Sequence, residues 1–100
     1  MKQKIILTPF DRSIAGKHNS IVQHVYVLLD SMTGGFDVEL LDCTCGNQQE
    51  FIYKNVGSST VVLKPVTGQY IDDTTAYSLS AWQAVRLWSD LNKRWLIVGD

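Results

Sequence analysis

The chain has 100 residues, a formal net charge of −1 and 45% hydrophobic residues, which predicts one domain with a single modest core. Its 9 basic and 10 acidic residues form no basic run, so the charge pattern favours neither nucleic acid nor an anionic membrane surface as a partner. The apolar run Val25–Leu29 is far shorter than the roughly 20 residues that span a bilayer, and no membrane insertion is expected.

The N-terminal segment begins with an apolar stretch that is too short for a secretion signal, because Pro9, Asp11 and Arg12 interrupt it. The polar residues that follow predict a loop. We therefore expect residues 1–20 to form an N-terminal strand and a loop or arm, and residues 21–100 to form a β-sandwich within one overall domain.

The next segment, IVQHVYVLLD, carries apolar residues on both strand faces and predicts a strand that is buried on both sides. His24 lies in this strand. It is interpreted as a strand histidine satisfied by backbone or water, and a catalytic role is the alternative. His18 and His24 are the two histidines of the chain, and both fall in its first quarter.

Turn-forming residues then recur at short intervals, with segments of four to eight residues between them. They are Gly34-Gly35, Gly46-Asn47, Gly57-Ser58-Ser59, Thr67-Gly68, Asp72-Asp73, Ser80-Ala81 and Asp90-Leu91-Asn92. This spacing is typical of an all-β fold, and we expect an antiparallel β-sandwich, jelly-roll-like or a partly open barrel, of about 7 to 9 short strands.

Alternation of apolar and polar residues marks the inward positions of these strands. They are Phe36, Val38, Leu40, Val61, Leu63, Tyr77, Leu79, Val85, Leu87, Trp95 and Ile97. In the segment from Ser80 to Trp95, a short helix capped by Ser80 is an alternative to the preferred strand, turn and strand.

Both cysteines lie in the sequence DCTCG. Cys43 and Cys45 are interpreted as reduced, inert thiols. A two-thiol metal or redox site is the alternative, although zinc requires four ligands and neither histidine has a recognised spacing to the cysteines.

Asp72 and Asp73 could act as paired carboxylates or bind calcium, but adjacent residues of a strand point apart, and a turn is the preferred interpretation. The chain has no nucleophile elbow and no phosphate-binding glycine loop. We expect no catalysis, no metal and no cofactor.

Three tryptophans in 100 residues exceed ordinary usage. Trp95 shares the inward register of Ile97 and is assigned to the core. Trp88 shares the opposite face of its strand with Arg86, which makes Trp82, Arg86 and Trp88 candidates for a subunit contact or a ligand platform, with core packing as the alternative.

The order of short motifs from Phe36 to Asp100 resembles the small β-module of tail-fibre, baseplate and other virion-surface proteins of tailed bacteriophages. The matching positions are Leu40, Asp42, Lys54, Asn55, Pro65, Gly68, Gln69, Ile71, Asp72, Tyr77, Leu79, Val85, Leu87, Ser89, Asp90 and Trp95. The chain departs from the module at Leu91, which more often is glycine, at Trp82 and Trp88, which more often are small or aliphatic, and at Cys43 and Cys45.

The resemblance implies a non-catalytic virion protein of the tail or baseplate, similar to domains of phage receptor-binding proteins and synthesised in the cytoplasm of the bacterial host. Its expected partners are other tail or baseplate proteins, and the state is either a monomer or a homo-oligomer such as a trimer. The alternative is a module that binds a host-envelope saccharide through exposed tryptophans.

Overall fold

The computed structural model describes residues 2–10, 24–44 and 50–99, and the description below is confined to them. Over these residues the fold is all-β, without a helix. The strands are β1 Lys2–Leu7, β2 His24–Leu29, β3 Phe36–Glu39, β4 Glu50–Asn55, β5 Val61–Lys64, β6 Tyr70–Ile71, β7 Tyr77–Leu79, β8 Ala84–Ser89 and β9 Arg94–Gly99. The segment from Ser80 to Trp95 therefore forms a turn, strand β8, a second turn and the start of β9, as preferred from its sequence.

The strands form two mixed sheets. The larger has six strands in the order β1-β2-β4-β8-β9-β6, and the smaller has three in the order β3-β5-β7. From β2 to β8 the chain alternates between the sheets, so consecutive strands do not pair with each other. This winding places β8 and its flanking turns in the middle of the larger sheet.

The expectation of antiparallel pairing throughout is wrong for four of the pairs. β1 with β2, β2 with β4, β3 with β5, and β6 with β9 are parallel. The pairs of β4 with β8, β5 with β7, and β8 with β9 are antiparallel. For β2 with β4 and for β3 with β5, the chain passes through one strand of the other sheet between the two partners and returns in its original direction, which makes each pair parallel.

One hydrophobic core is built from the inward side chains of both sheets. In β8, Val85 and Leu87 are buried, as their alternation predicted, and in β4, Phe51 and Tyr53 are buried with the same period of two. The indole ring of Trp95 packs edge to face on Phe51, with ring centroids 5.3 Å apart. The assignment of Trp95 to the core is confirmed.

Strand β2 departs from the expectation of burial on both sides. Val27 and Leu29 are buried, whereas Tyr26 and Leu28 are half-buried. The second pair lies on the face of the larger sheet that points away from the core, and we call this face the outer face.

The predicted N-terminal loop or arm lies mostly outside the described residues, which resume at His24. The strand that precedes it, β1, forms one edge of the larger sheet and pairs with β2 along its whole length.

Candidate functional site

The outer face carries two of the three residues that the sequence singled out. In β8, Val85 and Leu87 point into the core, so Arg86 and Trp88 point to solvent on the opposite side. The side chain of Trp88 is 43% exposed. In the sheet, Trp88 lies opposite Leu96 of β9, which is also exposed, so the pair forms an apolar patch.

Trp82 lies in the turn that leads into β8. The turn is closed by the Gln83 N–H, which donates to the Ser80 carbonyl at 3.1 Å, and the Gln83 Oε1 accepts from the Ser80 N–H at 2.9 Å. Trp82 is 56% exposed and has a φ of 62°, a left-handed conformation that a bulky side chain rarely adopts. The structure thus places Trp82 and Trp88 at opposite ends of β8, with Arg86 between them.

A shallow pocket of about 280 Å³ lies between the two tryptophan positions, lined by Ile52, Ala84, Val85, Arg86 and Gly99. A β-bulge in β9 makes it possible, because the register shift between Arg86 and Leu87 brings Gly99 opposite Arg86. A Cβ atom on Gly99 would lie 3.6 Å from Arg86 Nη2, so the guanidinium rests over the glycine. We call this pocket and the two flanking tryptophans the β8 groove.

The sequence identified neither Ile52 nor Gly99 as part of the groove. Ile52 lies on β4 and Gly99 on β9, and each faces Arg86 across a strand boundary. Whether a residue lines the groove therefore depends on the register of β4, β8 and β9, and β4 is distant from the other two strands in sequence. The alternation in EFIYKN places Ile52 on the outer face, but no local signal places it beside Arg86.

The segment that holds the first cysteine is fixed by polar contacts. The side-chain amide of Gln69 accepts a hydrogen bond from the Cys43 N–H at 2.9 Å and donates to Asp42 at 2.6 Å. The hydroxyl of Thr44 also donates to Asp42, and this contact, together with those from Gln69 and the Thr44 backbone, lowers the pKa of the Asp42 carboxyl. Cys43 itself is buried, and its thiol is free.

Burial is the main reason that the pKa of the Cys43 thiol is raised to about 11, and the nearby charges of Asp90 and Asp42 add to it. A thiol with a raised pKa is a poor nucleophile and a poor metal ligand at neutral pH, because only the thiolate reacts. Cys45 and His18 lie outside the described residues, as does the side chain of His24. Over the described ranges no three potential ligands converge on a metal position.

The Asp72-Asp73 pair forms a turn rather than a carboxylate site. The Asp72 N–H donates to the Trp95 carbonyl at 2.8 Å, and its carboxylate accepts from the Ile97 N–H at 3.0 Å. The φ of Asp72 is 53°, a conformation that aspartate tolerates better than most residues. Asp72 therefore extends the pairing between β6 and β9 beyond the strand.

A buried polar cluster at the end of β4 is a feature that sequence reasoning treated only as a turn. The Asn55 amide donates to the carbonyls of Ser59, Leu79 and Ser80. Its oxygen accepts from the Ser31 hydroxyl at 2.7 Å. Asn55 thereby joins β4, the loop after it and the turn before β8. These four hydrogen bonds fix the position of the turn that carries Trp82.

Comparisons with protein-family models, with curated proteins and with solved structures find no match to the chain. Over the residues described, no helix has the length and apolar character needed to cross a membrane.

Proposed function

We propose that this chain is a non-catalytic structural protein of a tailed-bacteriophage virion, located in the tail or baseplate. The observation that carries the proposal is that residues shared with the phage module hold parts of the fold together. Asn55 joins three segments, Asp72 continues a sheet, and Gln69 and Asp42 hold the segment around Cys43. Residues of this kind maintain the architecture of the module, and such a role suits a building block of an assembly.

We further propose that the two sheets pack face to face as a β-sandwich, with a jelly-roll-like or partly open barrel arrangement as the finer possibilities. The common core of both sheets supports this proposal. The partners are other tail or baseplate proteins, and the chain is made in the host cytoplasm before assembly. If it forms a homo-oligomer such as a trimer, the outer face is the candidate contact, because Trp88, Leu96 and Val98 are exposed there.

The experiment is to purify virions of the source phage and to label them with an antibody against the chain. We expect the chain in purified particles and antibody label at the tail end by electron microscopy. A chain that is never recovered from particles, with particles that never take the label, would remove the proposal.

A saccharide-binding module is the second candidate function. The observation that favours it is Trp82, which is large, exposed and held at a positive φ beside a pocket. Exposed aromatic rings provide flat faces for ligands. A glycan array that shows no binding, together with unchanged phage adsorption after Trp88→Ala, would count against this candidate.

A further inference from the structure

The β8 groove has aromatic side chains at both ends. Within β8 the side chains of Ala84, Arg86 and Trp88 lie on the outer face, and four residues of extended strand span about 13 Å, while Trp82 lies in the turn just before the strand. Ala84 and Arg86 line the pocket between the ends, and Gly99 forms part of its surface. The groove is therefore shallow, with its pocket in the first half of β8.

The conformation of Trp82 points to a role outside folding. A turn whose third residue has a positive φ normally carries glycine there, because a side chain is strained in that conformation. Trp82 is nevertheless the most exposed of the three tryptophans, so it contributes little to the core. Leu91 is also exposed at a positive φ, so the large aromatic ring, together with the strain, leads to a hypothesis of function at Trp82.

The charge of the outer face is opposite to that of the chain. Its described charged side chains are Lys4, Lys54, Arg86, Arg94 and Glu50. Four of these five are basic, although the whole chain has a net charge of −1. Lys54 donates its ammonium to the Trp82 carbonyl, which brings a positive charge to the Trp82 end. The outer face therefore attracts anions.

Arg86 lies at the centre of this arrangement. Its Nε is 3.9 Å from the Glu50 carboxylate, a loose ion pair, and about half of its side chain is exposed. A half-exposed guanidinium beside a pocket, on a face whose charged side chains are mostly basic, fits a ligand that carries a carboxylate.

We infer that the β8 groove binds an acidic oligosaccharide, with sugar rings stacked on Trp82 and Trp88 and a ring carboxylate paired with Arg86. The inference rests on the second candidate function and adds the chemical class of the ligand. A planar guanidinium binds a carboxylate through two parallel hydrogen bonds, which a neutral sugar cannot offer.

The test is isothermal titration calorimetry of the full chain with tetragalacturonate, with its fully methyl-esterified form and with tetraglutamate. The ester keeps the rings without the charge, and the peptide keeps the charge without the rings. We expect tetragalacturonate to bind at least about tenfold more tightly than either control, the equivalent of one hydrogen bond to a charged group. Added salt should weaken this binding.

Variants distinguish a loss of ligand binding in the groove from general effects on the fold. Arg86→Gln and Trp88→Ala should each weaken binding of tetragalacturonate by about tenfold. Phe10→Ala is the matched aromatic control, since Phe10 is 93% exposed in the loop after β1, and binding should stay unchanged. Trp82→Gly should raise the melting temperature and weaken binding, a combination that a purely structural tryptophan would not give.

The outcomes are distinguishable. Equal binding of the acid and its ester would overturn the acidic inference and leave a saccharide-binding function standing. Binding of neither form would overturn the acidic inference, while the glycan array decides the saccharide-binding function. Equal binding of tetraglutamate would show that charge alone is recognised, which also overturns the inference. The virion-labelling experiment decides the structural role independently.

Discussion

At the scale of single residues, Leu91 shows how one position departs from the geometry that its turn prefers. Its φ is 61°, and its side chain is 43% exposed, so it is strained without being well packed. The phage module that the sequence resembles more often has glycine at this position, and the left-handed conformation provides the physical reason.

We expect Leu91→Gly to raise the free energy of unfolding by about 0.5 to 1 kcal/mol, because the relief of left-handed strain exceeds the entropy cost of glycine. Urea denaturation followed by circular dichroism measures the change. Leu91→Ala is the control, since alanine keeps a Cβ atom and hence the strain. Equal stability of the two variants would show that φ is not the cause.

The Cys43 thiol gives a second prediction at this scale. Because its pKa is raised to about 11 and it is buried, we expect almost no thiolate and little access for reagents at pH 8. In a Cys45→Ser variant, which leaves one thiol, labelling by a disulfide reagent should be slow in the native protein and fast in urea. Rapid labelling of the native variant would contradict the assignment of Cys43 as an inert thiol.

At the scale of elements, the β8–β9 hairpin depends on one carboxylate. Asp90 Oδ1 accepts from the N–H groups of Asn92, Lys93 and Arg94 at 2.8 to 3.0 Å. The hydrogen bond from the Arg94 N–H is the largest cause of the lowered pKa of Asp90. The hydrogen bonds from Asn92 and Lys93 and the charge of Arg94 also lower this pKa, whereas burial raises it. The charged form of Asp90 therefore stabilises the folded state.

The sign of the pH dependence follows from this direction. A carboxyl whose pKa is lowered by folding stabilises the protein above its unfolded value, here 3.8, and this stabilisation is lost as the pH falls through the lower folded pKa. We expect Asp90→Ala to cost about 1 to 2 kcal/mol at pH 7 and to reduce the loss of stability in acid. Denaturant titrations at pH 7 and below pH 4 measure both effects.

Asp73→Asn is the matched control for this prediction, because Asp73 is an exposed aspartate of another turn. It should keep the stability of the parent protein at pH 7. If Asp90→Ala is as sensitive to acid as the parent, another carboxyl is responsible.

The same hairpin shows what local sequence could and could not predict. Alternation placed Val85 and Leu87 in the core and Arg86 and Trp88 outside, because a strand has a period of two regardless of its partners. The bulge that brings Gly99 to Arg86 was not predictable, since it depends on the register between β8 and β9. The candidate residues were thus accessible from sequence, but the pocket between them was not.

At the scale of the whole molecule, the direction of strand pairing was the main failure of sequence reasoning. Parallel and antiparallel strands of half-buried sheets share the same alternation, so periodicity does not distinguish them. The parallel pairs β1–β2 and β2–β4 join residues that are 22 and 26 positions apart in sequence. The winding between two sheets is a property of the whole chain, and no single turn encodes it.

This winding predicts slow folding. Nearly every strand pair joins distant segments, so loop entropy is lost before the contacts that compensate it are formed. We expect refolding in roughly the millisecond-to-second range, as in other folds dominated by non-local pairing. The double variant Trp82→Phe, Trp88→Phe leaves Trp95 as a reporter inside the common core, where its Nε1 donates to the Leu41 carbonyl at 3.1 Å.

Stopped-flow fluorescence of that variant should give one exponential phase that coincides with far-ultraviolet circular dichroism, since both sheets share one core. Refolding within microseconds would contradict the topological argument. Different rates by fluorescence and by circular dichroism would show instead that the smaller sheet forms separately, because only the larger sheet contains Trp95.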